Sequence, residues 1–221
     1  MPEQISEPPT YKKRLIPRDA ATLVLVDRTG AEPRVLMGRR RADLAFMANK
    51  FVFPGGRVDL ADKTAPSISE LAPAVIDKLL IEMRGRPSPK RARALAIAAI
   101  REMREETGLV LGDAGNPPLE ALTFFARAIT PPDRTRRYDT RFFMADAALA
   151  THTTLSGDGE LSDLAWLTLG ETRILDLPGI TRRIIDDIGA LWGELLDGRS
   201  YSEPVIPFYR FRAGRFQRDL I

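Results

Sequence analysis

The run Arg101-Glu102-Met103-Arg104-Glu105-Glu106-Thr107-Gly108-Leu109 gathers three carboxylates at one end of an expected helix. A helix turns about 100° per residue, so Glu102, Glu105 and Glu106 share an arc of about 100° on one face. Like charges that close weaken a helix unless something positive sits among them. A hard divalent cation takes carboxylate oxygens, and Mg²⁺ usually keeps waters and substrate phosphates in its shell as well. The spacing therefore points to metal-assisted phosphate chemistry. A solvated helix face rich in Arg and Glu is the alternative that these nine residues leave open.

Composition removes most other chemistries. The chain has no cysteine, which excludes disulfides, thiolate zinc sites and a Cys nucleophile. Its one histidine, His152, lies in the polar stretch Thr151-His152-Thr153-Thr154 and reads as incidental, so catalysis has to rest on carboxylates. Apolar residues make up 44% and charged ones 29%, which is ordinary for a globular protein, and no apolar run approaches the roughly 20 residues of a bilayer span. Met1 to Pro17 is polar and has no apolar signal core, so no membrane association and a cytoplasmic location are the expectations. The net charge of +3 is slight, and the arginines are dispersed rather than gathered with aromatics into a nucleic-acid module, so no nucleic-acid partner is expected. At 221 residues the chain fits a single domain over 1–221.

The elements that must position the acidic run follow from periodicity. Ala20 to Val26 is a β-favouring run ending at the turn signal Asp27-Arg28-Thr29-Gly30; Arg34 to Met37 resumes it, which predicts a hairpin. Lys50 to Phe53 is a third strand, stopped by Pro54-Gly55-Gly56. Leu71, Val75, Leu79 and Leu80 recur at helical spacing within Ser69 to Met83, inside a helical insertion of about 63–93. Lys90 to Thr107 is the strongest helix, with Gly108 placed just past its end. Leu122 to Ile129 and Arg141 to Ala145 read as strands around Thr130-Pro131-Pro132-Asp133, and Leu164 to Leu167 as another. Thr181 to Leu196 is a closing helix with Ile184, Ile185, Ile188, Leu191, Trp192 and Leu195 on one side, and helix and tail together span about 181–221. For the tail from Pro204, a sheet edge, a dimer arm and a basic patch stay open, so a homodimer is one of the alternatives. The irregular order of strands and helices predicts an α+β or mixed-sheet α/β sandwich.

Paired glycines in Phe53-Pro54-Gly55-Gly56-Arg57-Val58-Asp59 would let the chain pass close to the helix or to a ligand. Together, the glycine pair and the acidic helix resemble the Nudix box: Gly, five residues, Glu, seven residues, then Arg-Glu-apolar-any-Glu-Glu-any-Gly-apolar. Arg101 through Leu109 match the second half at every specified position, and Gly56 with Asp62 matches the first in spacing, with Asp in place of Glu. Arg101 lies 39 positions after Asp62 where an uninterrupted box has 8, so 31 residues are inserted within it. Such an insertion resembles the branch of the peroxisomal coenzyme A diphosphatases, as do Phe46 to Gly56 and Ile129 to Phe143, although Ala48 and Asn49 stand where that branch often has Pro and Gly.

The resemblance implies a Nudix-like α/β/α sandwich with a mixed sheet and a helical insertion. It implies Glu102, Glu105 and Glu106 as ligands of Mg²⁺ or Mn²⁺, with Glu105 or Glu106 also orienting or deprotonating the attacking water. Arg101 would pair with a carboxylate and hold the helix against the glycine loop. Glu160, before the Trp166 strand, resembles the acidic residue in that place, with a solvated loop as its alternative; for Asp62, a helix N-cap and a ligand role stay open. Arginine forks suit phosphates, and Arg39 in the Arg39-Arg40-Arg41 run, Arg137 and Arg141 in the later pair, and Gly55 and Gly56 form the expected substrate-binding set. The implied activity is cleavage of the diphosphate of a small-molecule nucleoside diphosphate derivative, coenzyme A or acyl-coenzyme A first. ADP-ribose or a dinucleotide, and a non-catalytic nucleotide-binding module, are the alternatives.

Overall fold

In a computed structural model of the chain, residues 15–44, 47–113, 116–152, 154–157, 159–196 and 205–221 are described. Residues up to 14, Phe46, Thr153 and Pro204, with the side chains of His152 and Leu195, lie outside the described residues.

The strands alternate as their patterns require. β1 (Arg18–Asp27) turns back through Asp27–Arg34 into the antiparallel β2 (Arg34–Arg40), the expected hairpin. β3 (Phe51–Val52) pairs with β2, and β4 (Gly55–Arg57) lies against β1, Gly55 opposite Thr22 and Gly56 opposite Ala21. The glycines hide β4 from a pattern reading because they offer no alternation to count. α1 (Pro73–Leu80) is shorter than the amphipathic stretch around it, since Pro73 takes the first helical turn, which needs no N–H donor there. α2 (Pro89–Thr107) begins with the Ser88 hydroxyl accepting from the Arg91 N–H at 3.3 Å and ends at Gly108 with φ +77°. β5 (Val110–Leu111) later pairs with β8. β6 (Thr123–Ile129) and β7 (Tyr138–Asp146) flank the expected turn, β8 spans Ala150–His152, and β9 (Leu161–Thr168) pairs with β2. α3 (Leu169–Thr172) and α4 (Gly179–Leu196) follow. The tail forms β10 (Pro207–Arg212) and β11 (Arg215–Leu220), a hairpin at the sheet edge.

The large sheet runs β11-β10-β6-β7-β1-β2-β3, with β4 on β1 and β9 on β2. β1 with β7 and β6 with β10 are parallel pairs, so the sheet is mixed. On one face Ala21, Leu23, Leu36 and Phe143 bury the alanine-rich side of α2 together with Leu71, Leu79 and Met83 of the insertion. On the other, Val24, Val35, Phe125 and Met144 pack under Ile184, Ile185 and Ile188 of α4. This is the expected α/β/α arrangement. The insertion is thus part of one core layer. Arg127 fastens it by donating to Ile81 O at 2.8 Å and Glu82 O at 3.1 Å. No described helix is long and apolar enough to cross a membrane.

Candidate active site

The last turn of α2 meets the glycine strand through Arg101. Its guanidinium donates to Asp62 Oδ1 at 2.9 Å, to Asp62 Oδ2 at 3.1 Å and to the Arg57 carbonyl at 2.9 Å. The same side chain reaches Glu102 at 2.9 Å and Glu105 at 3.0 Å. Arg101 holds the helix to the loop, and its charge answers the repulsion among the glutamates. Asp62 is only 1% exposed and serves as the bidentate acceptor for Arg101, while also accepting from the Asp59 N–H at 2.7 Å. That corrects both readings of Asp62: it caps no following α-helix, and its two oxygens are already committed to the guanidinium.

Glu106 lies on the inner side of the turn. It is 1% exposed, and its Oε2 accepts from the Gly55 N–H at 2.8 Å, whereas its Oε1 is buried with no hydrogen-bond partner. Burial pushes its carboxyl up to about 8, against the lowering effect of the Gly55 N–H, and the neighbouring Glu160 and Glu102 charges push the same way. Glu102 is raised too, chiefly by burial and opposed by Arg101, with Glu105 and Glu160 adding to the rise. A Cβ on Gly56 would stand 2.3–2.6 Å from the Glu102 carboxylate, so the helix approaches the strand closely enough to require glycine there. Glu105 points outward, its side chain 44% exposed and tied to Arg101.

Glu160 arrives from the other side of the α2 end. The Ser156 N–H donates to Thr107 O at 2.8 Å, and a Cβ on Gly157 would lie 2.0 Å from Glu106 O, so this loop is pressed onto the helix end. Arg40 holds Glu160 at 2.8 Å. The charges of Glu102 and Glu160 add to the effect of burial in raising Glu106, whose second oxygen is buried without a hydrogen-bond partner, and this is the electrostatic demand that a hard divalent cation meets. Among the described residues no group of three or more acidic or histidine side chains is drawn together so as to hold a metal ion by itself. Mg²⁺ needs none, because it binds through one or two carboxylates and completes its shell with water and phosphate. The carboxylates of Glu102 and Glu106 fit such an ion.

A cleft of about 1310 Å³ opens beside these groups, lined by Gly55, Gly56, Glu102, Arg40, Glu160 and Arg137 among others. Arg137 donates to Thr130 O at 3.0 Å and to Leu15 O at 2.7 Å, which fixes it at the rim. Two expected substrate residues are elsewhere. Arg39 pairs with Asp163 at 3.1 Å and lies over the Phe51 ring, outside the cleft. Strand alternation puts Leu36 and Arg40 on the α2 side of β2, and Met37 and Arg39 on the other. Arg141 is 0% exposed and faces Asp139 at 2.9 Å and Asp19 at 3.5 Å, so it does not reach a ligand in the cleft. It shares its strand face with Phe143 and Ala145, which turn into the core.

No family model and no curated protein matches the chain. Solved structures do. The NUDIX hydrolase from Alicyclobacillus acidocaldarius is 25% identical, with a TM-score of 0.59 over 77% of this chain and 90% of that one. The NUDIX domain of Shewanella oneidensis NrtR, solved with ADP ribose, is 12% identical, with a TM-score of 0.52 over 80% of this chain and 90% of that one. The chain has the fold of the Nudix hydrolases.

Proposed function

We propose that this chain is a divalent-metal-dependent hydrolase that cleaves the diphosphate bond of a nucleoside diphosphate derivative. The observation that carries the reading is the buried Glu106 carboxylate, fixed by the Gly55 N–H through one oxygen and left without a partner at the other. Glu102, Glu105 and Glu106 would hold Mg²⁺ or Mn²⁺, and Arg101 ties the first two to the same turn. When bound, the ion neutralises charge on the phosphoryl oxygens and lowers the pKa of water. Glu160, held by Arg40 beside Glu102 and Glu106, orients the attacking water and accepts its proton. The Gly55-Gly56 strand keeps the phosphate path open, because any side chain there would fill the space in front of Glu102 or Thr22. Arg137 and Arg40 supply positive charge along the cleft.

Within that class, coenzyme A or an acyl-coenzyme A is the substrate that the interrupted box and its flanking stretches favour. Phosphopantetheine, or its acyl form, and adenosine 3′,5′-bisphosphate would be the products. ADP-ribose is the competitor, and retention of all three helix glutamates argues against a purely binding role. Turnover of coenzyme A, ADP-ribose, NADH and diadenosine polyphosphates with Mg²⁺ or Mn²⁺ decides between them. Glu106→Gln should lower turnover roughly 100-fold or more while keeping the fold; normal turnover in that variant, or cleavage of none of these compounds, sinks the hydrolase reading.

A further inference from the structure

β11 ends the large sheet, and among the described residues no strand lies beyond it. Its inner edge is fully paired, because Pro207 to Arg212 of β10 face Leu220 to Arg215 in unbroken register. Just outside the hairpin, Ile206 N–H donates to Ile221 O at 2.8 Å and Ile221 N–H to Ile206 O at 3.0 Å. Pairs that exchange both backbone bonds alternate along an antiparallel ladder with pairs that exchange none. Asp219, Gln217 and Arg215 therefore bond to β10, and the N–H and C=O groups of Phe216, Arg218 and Leu220 point outward. Those three residues are exposed. An open edge of this kind is a template for another strand unless Pro, a bulge or a cover blunts it. β11, Arg-Phe-Gln-Arg-Asp-Leu, has no Pro and no bulge.

The charges along this edge fit a second copy of the same edge. A two-fold axis sets the two strands antiparallel, and outward groups meet outward groups only if the axis passes level with a residue rather than between two. Level with Arg218, it places two arginines opposite each other; level with Asp219, two aspartates; both pairings are destabilising. Level with Phe216, it runs the strands into the turn at Ala213-Gly214. Level with Gln217, it lets Phe216 and the partner's Arg218 exchange backbone bonds on both sides of the axis. That register also sets Arg215 opposite the partner's Asp219, in the kind of pair whose side chains stand closest. Arg215 forms no ion pair with a described carboxylate, and Asp219 holds Arg210 through Oδ2 at 2.6 Å.

We infer that β11 is a homodimer edge, to which a second copy of this chain adds its own β11 antiparallel about Gln217. The sheet then continues across the two-fold axis. Phe216 also lines the cleft, so the second copy meets the first at the rim of the candidate site. This interface does not depend on which compound the site cleaves.

Sedimentation equilibrium of the full chain at rising protein concentration should show twice the mass of one chain. Arg215→Glu and Asp219→Lys each put like charges opposite one another and should weaken the dimer about tenfold or more. An equimolar mixture of the two variants restores both ion pairs and should dimerise as the unmodified chain does. Phe216→Pro removes an outward N–H that β10 does not use, so it should leave the melting curve near its original position and abolish the dimer. A monomer at every concentration, a dimer that survives both charge variants, or a mixture that stays monomeric overturns the proposal.

Discussion

Arg101 grips Asp62 with both arms of its fork, Nε to Oδ1 at 2.9 Å and Nη2 to Oδ2 at 3.1 Å, across 39 positions of sequence. The inserted segment lies between them, so this pair closes the interrupted motif in space. Removing Arg101 leaves Asp62 as an uncompensated buried charge, whereas removing the charge of Asp62 leaves Arg101 with Glu102 and Glu105. Arg101→Ala should therefore destabilise by about 3 kcal/mol, and Asp62→Asn by distinctly less. Urea denaturation of the two variants measures the order, and the reverse order refutes the clamp.

The two glycines of β4 should fail differently. A Cβ on Gly55 meets Ala21 O at 2.6 Å and Thr22 Cα at 2.7 Å, which is backbone that cannot yield. The nearest atoms to a Cβ on Gly56 belong to the movable end of Glu102. Gly55→Ala should lower the melting temperature markedly, while Gly56→Ala should keep most of the stability and lose activity as Glu102 is pushed aside. Melting curves beside turnover assays separate the two effects.

Metal binding should release a proton. Glu106 has its folded pKa raised to about 8 from an ordinary carboxylate value, so the fold binds a proton that the unfolded chain has already lost at neutral pH. The contribution to stability is fully present below the unfolded pKa and is lost as pH rises through about 8. A cation needs the carboxylate, so at pH 7 Mg²⁺ binding should displace about one proton, and at pH well above 8 almost none. Titrations in buffers of different ionisation enthalpy count the protons. Glu106→Gln should abolish the count at both pH values; an unchanged count there would remove Glu106 from the ion.

The buried arginines of β6 and β7 should differ in cost. Arg127 is bonded to Asp139 through two contacts, 2.8 and 2.7 Å, and holds two carbonyls of the insertion. Arg141 has two buried nitrogens without partners, and burial lowers it to about 10 despite Asp139. Arg127→Ala should cost about 3–5 kcal/mol, and Arg141→Met about 1 kcal/mol or less. Arg141→Met should also leave the KM of any cleaved substrate unchanged, which checks by kinetics that this side chain stays out of the cleft.

Local order was legible wherever it repeats with a period. The helix ending at Gly108, the hairpin around Asp27–Arg34, the α4 stripe and the three glutamates on one arc all follow from neighbours in the chain, because propensity, capping and alternation act over a few residues. The role of Arg101 as a clamp was readable only through the resemblance to the Nudix box. Its partner was not, since nothing local distinguishes Asp62 as an acceptor from Asp62 as a cap or a ligand.

What tertiary structure alone decided is which face each side chain presents, and to what. Arg39 and Arg40 are adjacent and chemically identical, yet Arg40 lines the cleft beside Glu160 while Arg39 is held by Asp163 and the Phe51 ring, partners brought to it from distant segments. Arg141 looks like a phosphate ligand in sequence, and its parallel alignment with Ala21 on β1 turns it into the core instead. Glu106 has one oxygen held by Gly55, 51 positions away, and the other buried without a hydrogen-bond partner, an arrangement that only the packing of distant segments creates. Residue types and spacing set the chemistry available to this chain; long-range pairing set where that chemistry is held, because burial and charge compensation depend on contacts between segments that are distant in sequence.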